Sequence, residues 1–516
     1  MKDISIAIIT SDNFLRIKTR LLLIQEEFTK IDTFESIEEL KEKYTQTDYD
    51  LIITDEETFE SKKFSFVDKN TFFLILTENM EKIPKLTARR FYFSKHFSSQ
   101  EFIHEINTIS LLKFYEKEME EKNKKLEEAL KYIQTQEEMG AEKQLNMIFD
   151  NISFKKIKNY IFDNYYSPKD KLSGDSYIAW HKDGKIFIVI ADAMGKGLSA
   201  SLTSTLTTGI GNYILNNNMN LQKILNNYIN YIKKILLEDE ILCMLIFKLD
   251  LNTNEFQIAN FGMPPVYLKK GSGVEKILPN NLPIFKESKE KITIDKYNKN
   301  FDMILLTSDG LIESLTKKGI PYYANLKKIL PKSNFLREIL KDFKKNAVQD
   351  DDTTVYAIIN QKNQTQYKKI FEYKFTFSSK EDLDKIILKL DNKLKVDELT
   401  KQKLYLIFQE TFLNIFEHAY RENYNKHEII ENNKDFSKIN GQIDIKINKN
   451  DQYLNIIIKD NGKGFDVSKI LKHENKINFK KYHRRGLLIL LNIVDGIFFD
   501  DNGRCVHIYL RSNHGN

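Results

Sequence analysis

A segment from Lys113 to about Asn146, made almost wholly of Glu, Lys and Gln, divides this chain, because no hydrophobic core can continue through it. Within and just before it Leu112, Met119, Leu126 and Ile133 recur at every seventh position. That spacing lays them along one stripe of a helix and predicts a short coiled coil over 113–147, with a homodimer formed through the linker helix. Lys122 and Gln136 interrupt the second seam position, so a single solvated linker helix remains the alternative. At 516 residues the chain also exceeds one ordinary core, and about three domains are expected.

The parts on either side differ in pattern. Over residues 1–112 short apolar runs (Ile4 to Thr10, Leu51 to Thr54, Phe72 to Thr77) alternate with amphipathic stretches, which predicts a doubly wound α/β domain. Residues 148–362 are rich in strand-like runs broken by a helical stretch from Leu198 to about Asn216, an α+β pattern. The polar break Gln361 to Gln366 separates it from a second α+β unit over 368–512.

Composition narrows the function classes. Lys and Arg number 79 against 73 Asp and Glu, and the +6 balance is spread along the chain, which argues against nucleic acid as a partner. Cys243 and Cys505 belong to no metal-ligand or disulfide spacing, as expected of a reducing cytoplasm. No apolar run approaches the roughly 18 residues of a membrane span, and no export signal precedes Ile4, so neither membrane insertion nor secretion is expected.

Four aspartates of the middle unit stand where strand-like runs meet turns, in Ser173-Gly174-Asp175, Ala191-Asp192-Ala193-Met194-Gly195, Thr307-Ser308-Asp309-Gly310 and Asp350-Asp351-Asp352-Thr353. Clustered carboxylates repel one another unless cations lie between them, and hard oxygen donors suit Mg²⁺ or Mn²⁺. Two such ions about 3.5 to 4 Å apart can activate a water for attack on a phosphoryl group. The neighbouring glycines allow tight turns at the metals. A lone Asp-Gly pair is usually a plain turn, but the ordered set resembles the SpoIIE-type branch of PPM serine/threonine phosphatases, a fold built as an α/β sandwich. The resemblance implies Asp175, Asp192, Asp309 and Asp351, with the Ala193 carbonyl, as ligands of a metal pair, and Asp192 and Asp309 as central to catalysis. Asn260-Phe261-Gly262-Met263-Pro264-Pro265 is similar to a family segment that carries histidine where Met263 stands, and Ile178 occupies the place of a frequent second acid.

In the last unit Glu410 and Asn414 fall on one face of a helical run, a carboxylate able to take a proton beside a carboxamide able to hold Mg²⁺. Asp460-Asn461-Gly462-Lys463-Gly464 follows a strand, and Arg485-Gly486 opens an apolar helix whose amides favour phosphate. In this order the segments resemble the GHKL ATPases, with their Bergerat α/β sandwich, and Glu410 to Tyr420 is similar to anti-sigma-factor serine kinases of the RsbW type. The resemblance implies ATP with Mg²⁺ as cofactor, Glu410 as base, Asn414 as Mg²⁺ ligand and Asp460 as adenine contact. Gly462, Gly464, Arg485 and Gly486 would shape the nucleotide pocket.

Asp55, Thr77 and Lys95 each end or follow a strand-like run of the first unit. They resemble the phosphoacceptor, hydroxyl and lysine of response-regulator receivers, in which an upstream histidine kinase supplies the phosphoryl group. Of the acidic pair that holds Mg²⁺ in that family only Asp12 remains, Thr10 and Ser11 standing beside it. The resemblances together imply a partner-switching regulator that dephosphorylates and phosphorylates a serine of a STAS-type anti-sigma-factor antagonist. Two other readings stay open: an ATPase unit that only sequesters a sigma factor or antagonist, and a scaffold with degenerate sites.

Overall fold

Runs of Ile, Leu and Phe too short for helices become the strands of the N-terminal unit. The computed structural model describes residues 4–511 apart from 45–47, 60–63, 81–88, 216–220, 290, 362–366, 377–384, 387, 390–395, 420–440 and 465–484. The chain divides into two compact units, Met1–Gln134 and Thr135–Asn516. In the first, β1 (Ile6–Ile9), β2 (Ile31–Phe34), β3 (Leu51–Asp55), β4 (Phe72–Thr77) and β5 (Arg90–Ser94) form a parallel sheet in the order β2-β1-β3-β4-β5. α1 (Asn13–Gln25) and α2 (Ile37–Tyr44) connect its first strands. Residues of β1, β3 and β4 are buried on both faces, Ile6, Ile53 and Leu74 in one core and Ala7, Ile52 and Ile75 in the other. Continuous apolar strands of this kind are what a parallel sheet covered on both sides requires.

The linker helix is longer than its charged segment. α3 runs from Ser99 to Met147, because Phe102, Ile106 and Ile109 recur at helical spacing and bury themselves in the first core before Lys113 is reached. Along it Leu112, Met119, Leu126 and Ile133 stay between 41% and 57% exposed. Lys122 is held by Glu118 one turn earlier.

In the second unit a β-sandwich is built from two sheets. One has the order β15-β11-β10-β9-β8, with β14 added beside β10. Its strands are β8 (Asp175–Lys182), β9 (Lys185–Ala193), β10 (Ile241–Asp250), β11 (Phe256–Phe261), β14 (Ile284–Phe285) and β15 (Asp295–Tyr297). The facing sheet contributes β6 (Lys155–Ile157), β7 (Tyr160–Ser167), β12 (Val266–Lys270), β13 (Gly273–Ile277), β16 (Met303–Thr307) and β17 (Thr353–Asn360). Alternate side chains of both, such as Ile188, Phe247, Leu306 and Ile358, interdigitate between the sheets. α4 (Leu198–Leu215) and α5 (Leu221–Ile235) lie beside the first sheet, where Leu225, Tyr228 and Ile232 of α5 meet Trp180 and Val189. The second is covered by α7 (Tyr323–Ile329) and α8 (Leu336–Asn346), and α6 (Asp309–Glu313) follows β16 directly.

The second sheet does not stop at the sandwich. It continues through β18 (Lys368–Thr376), β19 (Gln442–Lys449), β20 (Tyr453–Asp460), β21 (Gly496–Asp500) and β22 (Cys505–Arg511), giving eleven strands in the order β13-β12-β16-β17-β7-β6-β21-β22-β20-β19-β18. One parallel pair, Lys155 with Phe499, closes the joint. There α9 (Glu398–Ala419) and α10 (Arg485–Ile493) cover one face through Phe408, Phe412, Leu490 and Leu491, and Phe154 from the sandwich side enters the same core. The joint is also polar: Lys341 of α8 donates to the Ile493 carbonyl at 2.8 Å and to Asp495 at 2.7 Å, and Tyr453 donates to Glu338 at 2.9 Å. Behind it Arg337 and Asp163, 5% and 2% exposed, form a buried ion pair at 2.9 Å. Removing either partner of such a pair costs about 3–5 kcal/mol by stranding the other charge. Among the described residues no helix is long and apolar enough to cross a membrane.

Candidate functional site

The middle-unit aspartates meet at one end of the sandwich because each ends or begins a strand there. Asp175 opens β8 and lies opposite Asp192 near the end of β9, their register placing the two carboxylates as cross-strand neighbours. Asp309 starts α6 directly after β16, and Asp351 precedes β17, the strand paired with β16. Gly310 makes this approach possible: a Cβ there would stand 1.9 Å from the Asp352 carbonyl oxygen.

Asp175 is 1% exposed and accepts from the Ser308 and Thr354 hydroxyls at 2.7 and 2.6 Å. Burial and then the Asp192 charge nonetheless hold its carboxyl well above the usual carboxylate range. Asp192 is pushed up to about 7 by burial and then by Asp309, Asp351, Asp352 and Glu313. Asp309 is pushed up to about 6 by burial, Glu313 and Asp351. Cys243, in register with Asp192, has its thiol pushed up to about 12 by burial and then by Asp192 and Asp309.

The donor set is therefore hard oxygen under mutual repulsion, which fits a divalent cation in chemistry. Among the described residues no three of these acids are gathered into one coordination shell, so a bound ion would have to draw them together. Asp351 and Asp352 differ in this respect. Asp352 is spent on backbone, accepting from Gly174 and Lys169 N–H at 2.7 Å each, whereas Asp351 accepts from the Asp352 N–H at 2.9 Å within the turn.

Sequence reasoning overlooked four participants. Glu313 lies one helical turn beyond Asp309 and loads the same field, a relation the four-residue spacing could have revealed. Ser308 lies inside one quoted motif and Thr354 directly follows another, but nothing local marks them as partners of Asp175. Gln144, near the end of α3, clamps Ser173 from both sides, donating to its carbonyl at 2.7 Å and accepting from its N–H at 3.1 Å. No local signal marks that contact. Met263, expected beside the site by resemblance, is 1% exposed in the sandwich core, and Ile178 is buried against α5.

The C-terminal unit brings its motif residues together on α9 and the turn after β20. Glu410 is 9% exposed and Asn414 lies one turn further along the same helix. Asp460, the last residue of β20, is 5% exposed; burial raises its carboxyl while the Gly462 N–H donates to it at 2.8 Å. Gly464 has φ +70°, and a Cβ there would meet the Asn502 carbonyl oxygen at 2.3 Å, so the turn packs closely on the β21–β22 connection. α10 begins at Arg485 with Gly486 buried, and α10 packs on α9. The stretch expected before Arg485 and Tyr420 of the kinase-like motif lie outside the described residues.

In the N-terminal unit Asp55 ends β3 and is 2% exposed. Its partners differ from the expected trio. The Thr10 hydroxyl donates to Asp55, and the Thr58 N–H donates to it at 2.7 Å. Thr77 donates to Glu56, and Lys95 pairs with Glu57 at 3.4 Å and Glu78 at 3.8 Å. Asp12, the acid that the resemblance assigns to Mg²⁺, caps α1, accepting from the Leu15 N–H at 3.1 Å. The three-residue spacing to an open helix N-terminus makes that the stronger local use of an aspartate.

Comparison with known proteins bears on two of these regions. Residues 182–359 match the family profile of stage II sporulation protein E (SpoIIE), and residues 381–510 match that of the histidine kinase-like ATPase domain. The stage II sporulation protein E of Priestia megaterium is 30% identical over 170 residues, covering 32% of this chain and 29% of that protein. Its Bacillus subtilis (strain 168) counterpart is 27% identical over 172 residues, covering 32% and 21%. The chain thus spans less than a third of either relative. Among solved structures, one of RsbU and RsbW domains from Mycobacterium tuberculosis aligns over 71% of this chain and 96% of that one, at 14% identity and a TM-score of 0.35. The PP2C phosphatase domain of SpoIIE from Bacillus subtilis, with a fragment of its regulatory domain, aligns over 40% of this chain and 64% of that one, at 20% identity and a TM-score of 0.35. On the sequence matches, the chain carries a SpoIIE-type phosphatase domain followed by a histidine kinase-like ATPase domain.

Proposed function

We propose that this chain is a partner-switching regulator whose phosphatase domain removes, and whose ATPase domain adds, the phosphoryl group on a serine of a STAS-type anti-sigma-factor antagonist. The observation that carries the reading is the carboxylate cluster at Asp192, where burial, and then the charges of Asp309, Asp351, Asp352 and Glu313, push the aspartate up to about 7 and so favour a cation beside it. Asp175, Asp192, Asp309 and Asp351, with the Ala193 carbonyl, would hold two Mn²⁺ or Mg²⁺ ions, whose chemistry is to activate water and neutralise phosphoryl oxygens. Ser308 and Thr354 fix the Asp175 carboxylate through Oδ2. Asp352 braces Gly174 and thereby the strand that begins with Asp175.

In the ATPase domain Asp460 would accept from an adenine amine, and Asn414 would take part in holding Mg²⁺. Glu410, one turn before Asn414, would accept the proton of an incoming serine hydroxyl. The N-terminal unit acts upstream as a receiver-like input, answering a histidine kinase through Asp55 or through docking alone. Incubating the full-length chain and a co-purifying antagonist with labelled ATP, and then the phosphorylated antagonist with Mn²⁺, tests both directions. Label should enter the serine in the first assay and leave it in the second. Glu410→Ala should slow the transfer by roughly 10²- to 10⁴-fold while ATP still binds. Transfer at the wild-type rate in that variant would reduce the ATPase domain to a sequestering module.

A further inference from the structure

A cavity of 150 Å³ opens between the sandwich and the ATPase domain, lined by Lys269, Asp302, Asn334 and Asn360 from one side and by Tyr367 and Gln452 from the other. It lies beside Met303 and Ile359, at the ends of β16 and β17 opposite Thr307 and Thr353, and so away from the carboxylate cluster. Lys269 is 3% exposed. Its ammonium donates to Asn334 Oδ1 at 2.8 Å, and no carboxylate among the described residues is within ion-pair distance of it.

An ammonium has three N–H donors, and a buried one needs partners of opposite charge or strong acceptors for all of them. The two acids whose charges act on it have other work. Asp302 accepts from the Gly271 N–H at 2.6 Å, and Glu338 accepts from Tyr453 and from the Asn334 and Phe335 N–H groups. Burial accordingly holds the Lys269 pKa down despite the charges of Asp302 and Glu338. The Asn334 amide is ordered from behind, donating to Gln452 at 2.9 Å across the joint. A methionine would fill the same strand position without the cost of a buried charge, so the ammonium itself calls for an explanation.

We propose that this cavity binds a small oxyanion, inorganic phosphate or a short carboxylate, with the Lys269 ammonium as its counter-ion and the surrounding amides as hydrogen-bond donors. An occupant touches both domains and braces the joint between them. The site is independent of the enzymatic reading.

Thermal unfolding of the full-length chain, with EDTA present and ionic strength held by chloride, tests it with sodium phosphate, sodium sulfate and sodium acetate in separate titrations. A saturable rise in Tm with at least one oxyanion is expected, and which salts produce it separates phosphate from carboxylate as the source. Lys269→Met should weaken the response by roughly ten- to a hundred-fold in affinity, the range of a charge-assisted hydrogen bond. Asn334→Ala, which leaves the strand untouched, should weaken it less, and Asp192→Asn should leave it unchanged. A Tm independent of every oxyanion overturns the proposal. So does a full response in both Lys269→Met and Asn334→Ala, which would place the anion elsewhere.

Discussion

Asp55 and Asp192 are both aspartates in the last residues of buried strands, and their surroundings set them apart. Asp55 is answered by neutral donors, the Thr10 hydroxyl and the Thr58 N–H, while the nearby acids are engaged elsewhere, Glu56 by Thr77 and Asp12 by the start of α1. Asp192 faces other carboxylates, and burial among them lifts it to about 7. A strand end supplies position in both cases. The sign of the neighbours decides whether the position calls for a cation, and only the second pocket does so strongly.

The largest effect expected from breaking this contrast is on activity. Asp192→Asn and Asp309→Asn each remove one anionic ligand of the proposed metal pair and should lower phosphatase turnover by roughly 10²-fold or more, the scale of losing one preorganised charge at a reacting phosphoryl group. ATP binding, followed by fluorescence of a nucleotide analogue, should be unaltered because neither residue belongs to the ATPase domain. Mn²⁺-dependent turnover at the wild-type rate in both variants would remove these residues from the site.

The next effect is on stability and has a defined sign. Asp192 and Asp309 have folded-state values of about 7 and about 6 against an ordinary 3.8. Between those limits the folded chain binds more protons than the unfolded one, so without metal its stability falls as pH rises from about 4 to about 7. For Asp192 the loss is about 2–3 kcal/mol after allowance for partial solvent access. Mn²⁺ should oppose the fall, since cations replace the protons that the carboxylates release. Tm measured across this range with EDTA or with Mn²⁺ gives the two slopes; equal slopes would mean that the cluster holds no ion.

A smaller effect is expected from converting one pocket toward the other. Thr10→Asp replaces the neutral donor at Asp55 with a second acid, and should cost stability while creating Mg²⁺ dependence of Tm in the N-terminal unit. The reverse outcome, a variant as stable as wild type and indifferent to Mg²⁺, would show that Asp55 is insulated by more than the Thr10 hydroxyl.

How much of this was legible in the sequence depends on the range of the contact. The strand-end aspartates, the Glu410 and Asn414 helix face and the Asp460 turn follow from local pattern, since a strand end or a helical turn fixes where those side chains go. The choice between Asp351 and Asp352 does not, because consecutive acids in a turn face different ways and only the Gly174 and Lys169 N–H groups reveal which is engaged. The N-cap role of Asp12 is legible in the three-residue spacing to Leu15 at the start of α1. The joining of the two domains into one sheet rests on Lys155 meeting Phe499, a pairing of distant segments with no periodicity to announce it.

The smallest effects concern the path by which the linker helix reaches the metal loop. Gln144 is 5% exposed and makes two hydrogen bonds to the Ser173 backbone, next to the Gly174 that Asp352 braces. Gln144→Ala leaves a buried N–H and carbonyl unpaired, at a cost of about 1–3 kcal/mol, and frees the loop ahead of Asp175. Because the proposed metal ligands themselves remain, the expected signature is a severalfold higher Mn²⁺ requirement with turnover at saturating Mn²⁺ nearly unchanged. Leu112, Met119, Leu126 and Ile133 form an exposed apolar stripe on the same helix, the seam of the dimer expected from the heptad spacing. Leu126→Lys with Ile133→Lys should therefore lower dimerisation in light scattering, and should shift the Mn²⁺ requirement in the direction of Gln144→Ala if α3 transmits the dimer's state to the loop. A population shift of this kind needs only a few kcal/mol of difference between two arrangements. A broken dimer with an unchanged Mn²⁺ requirement would separate the two halves of the idea, leaving Gln144 as a local brace and the stripe as a contact without influence on the phosphatase.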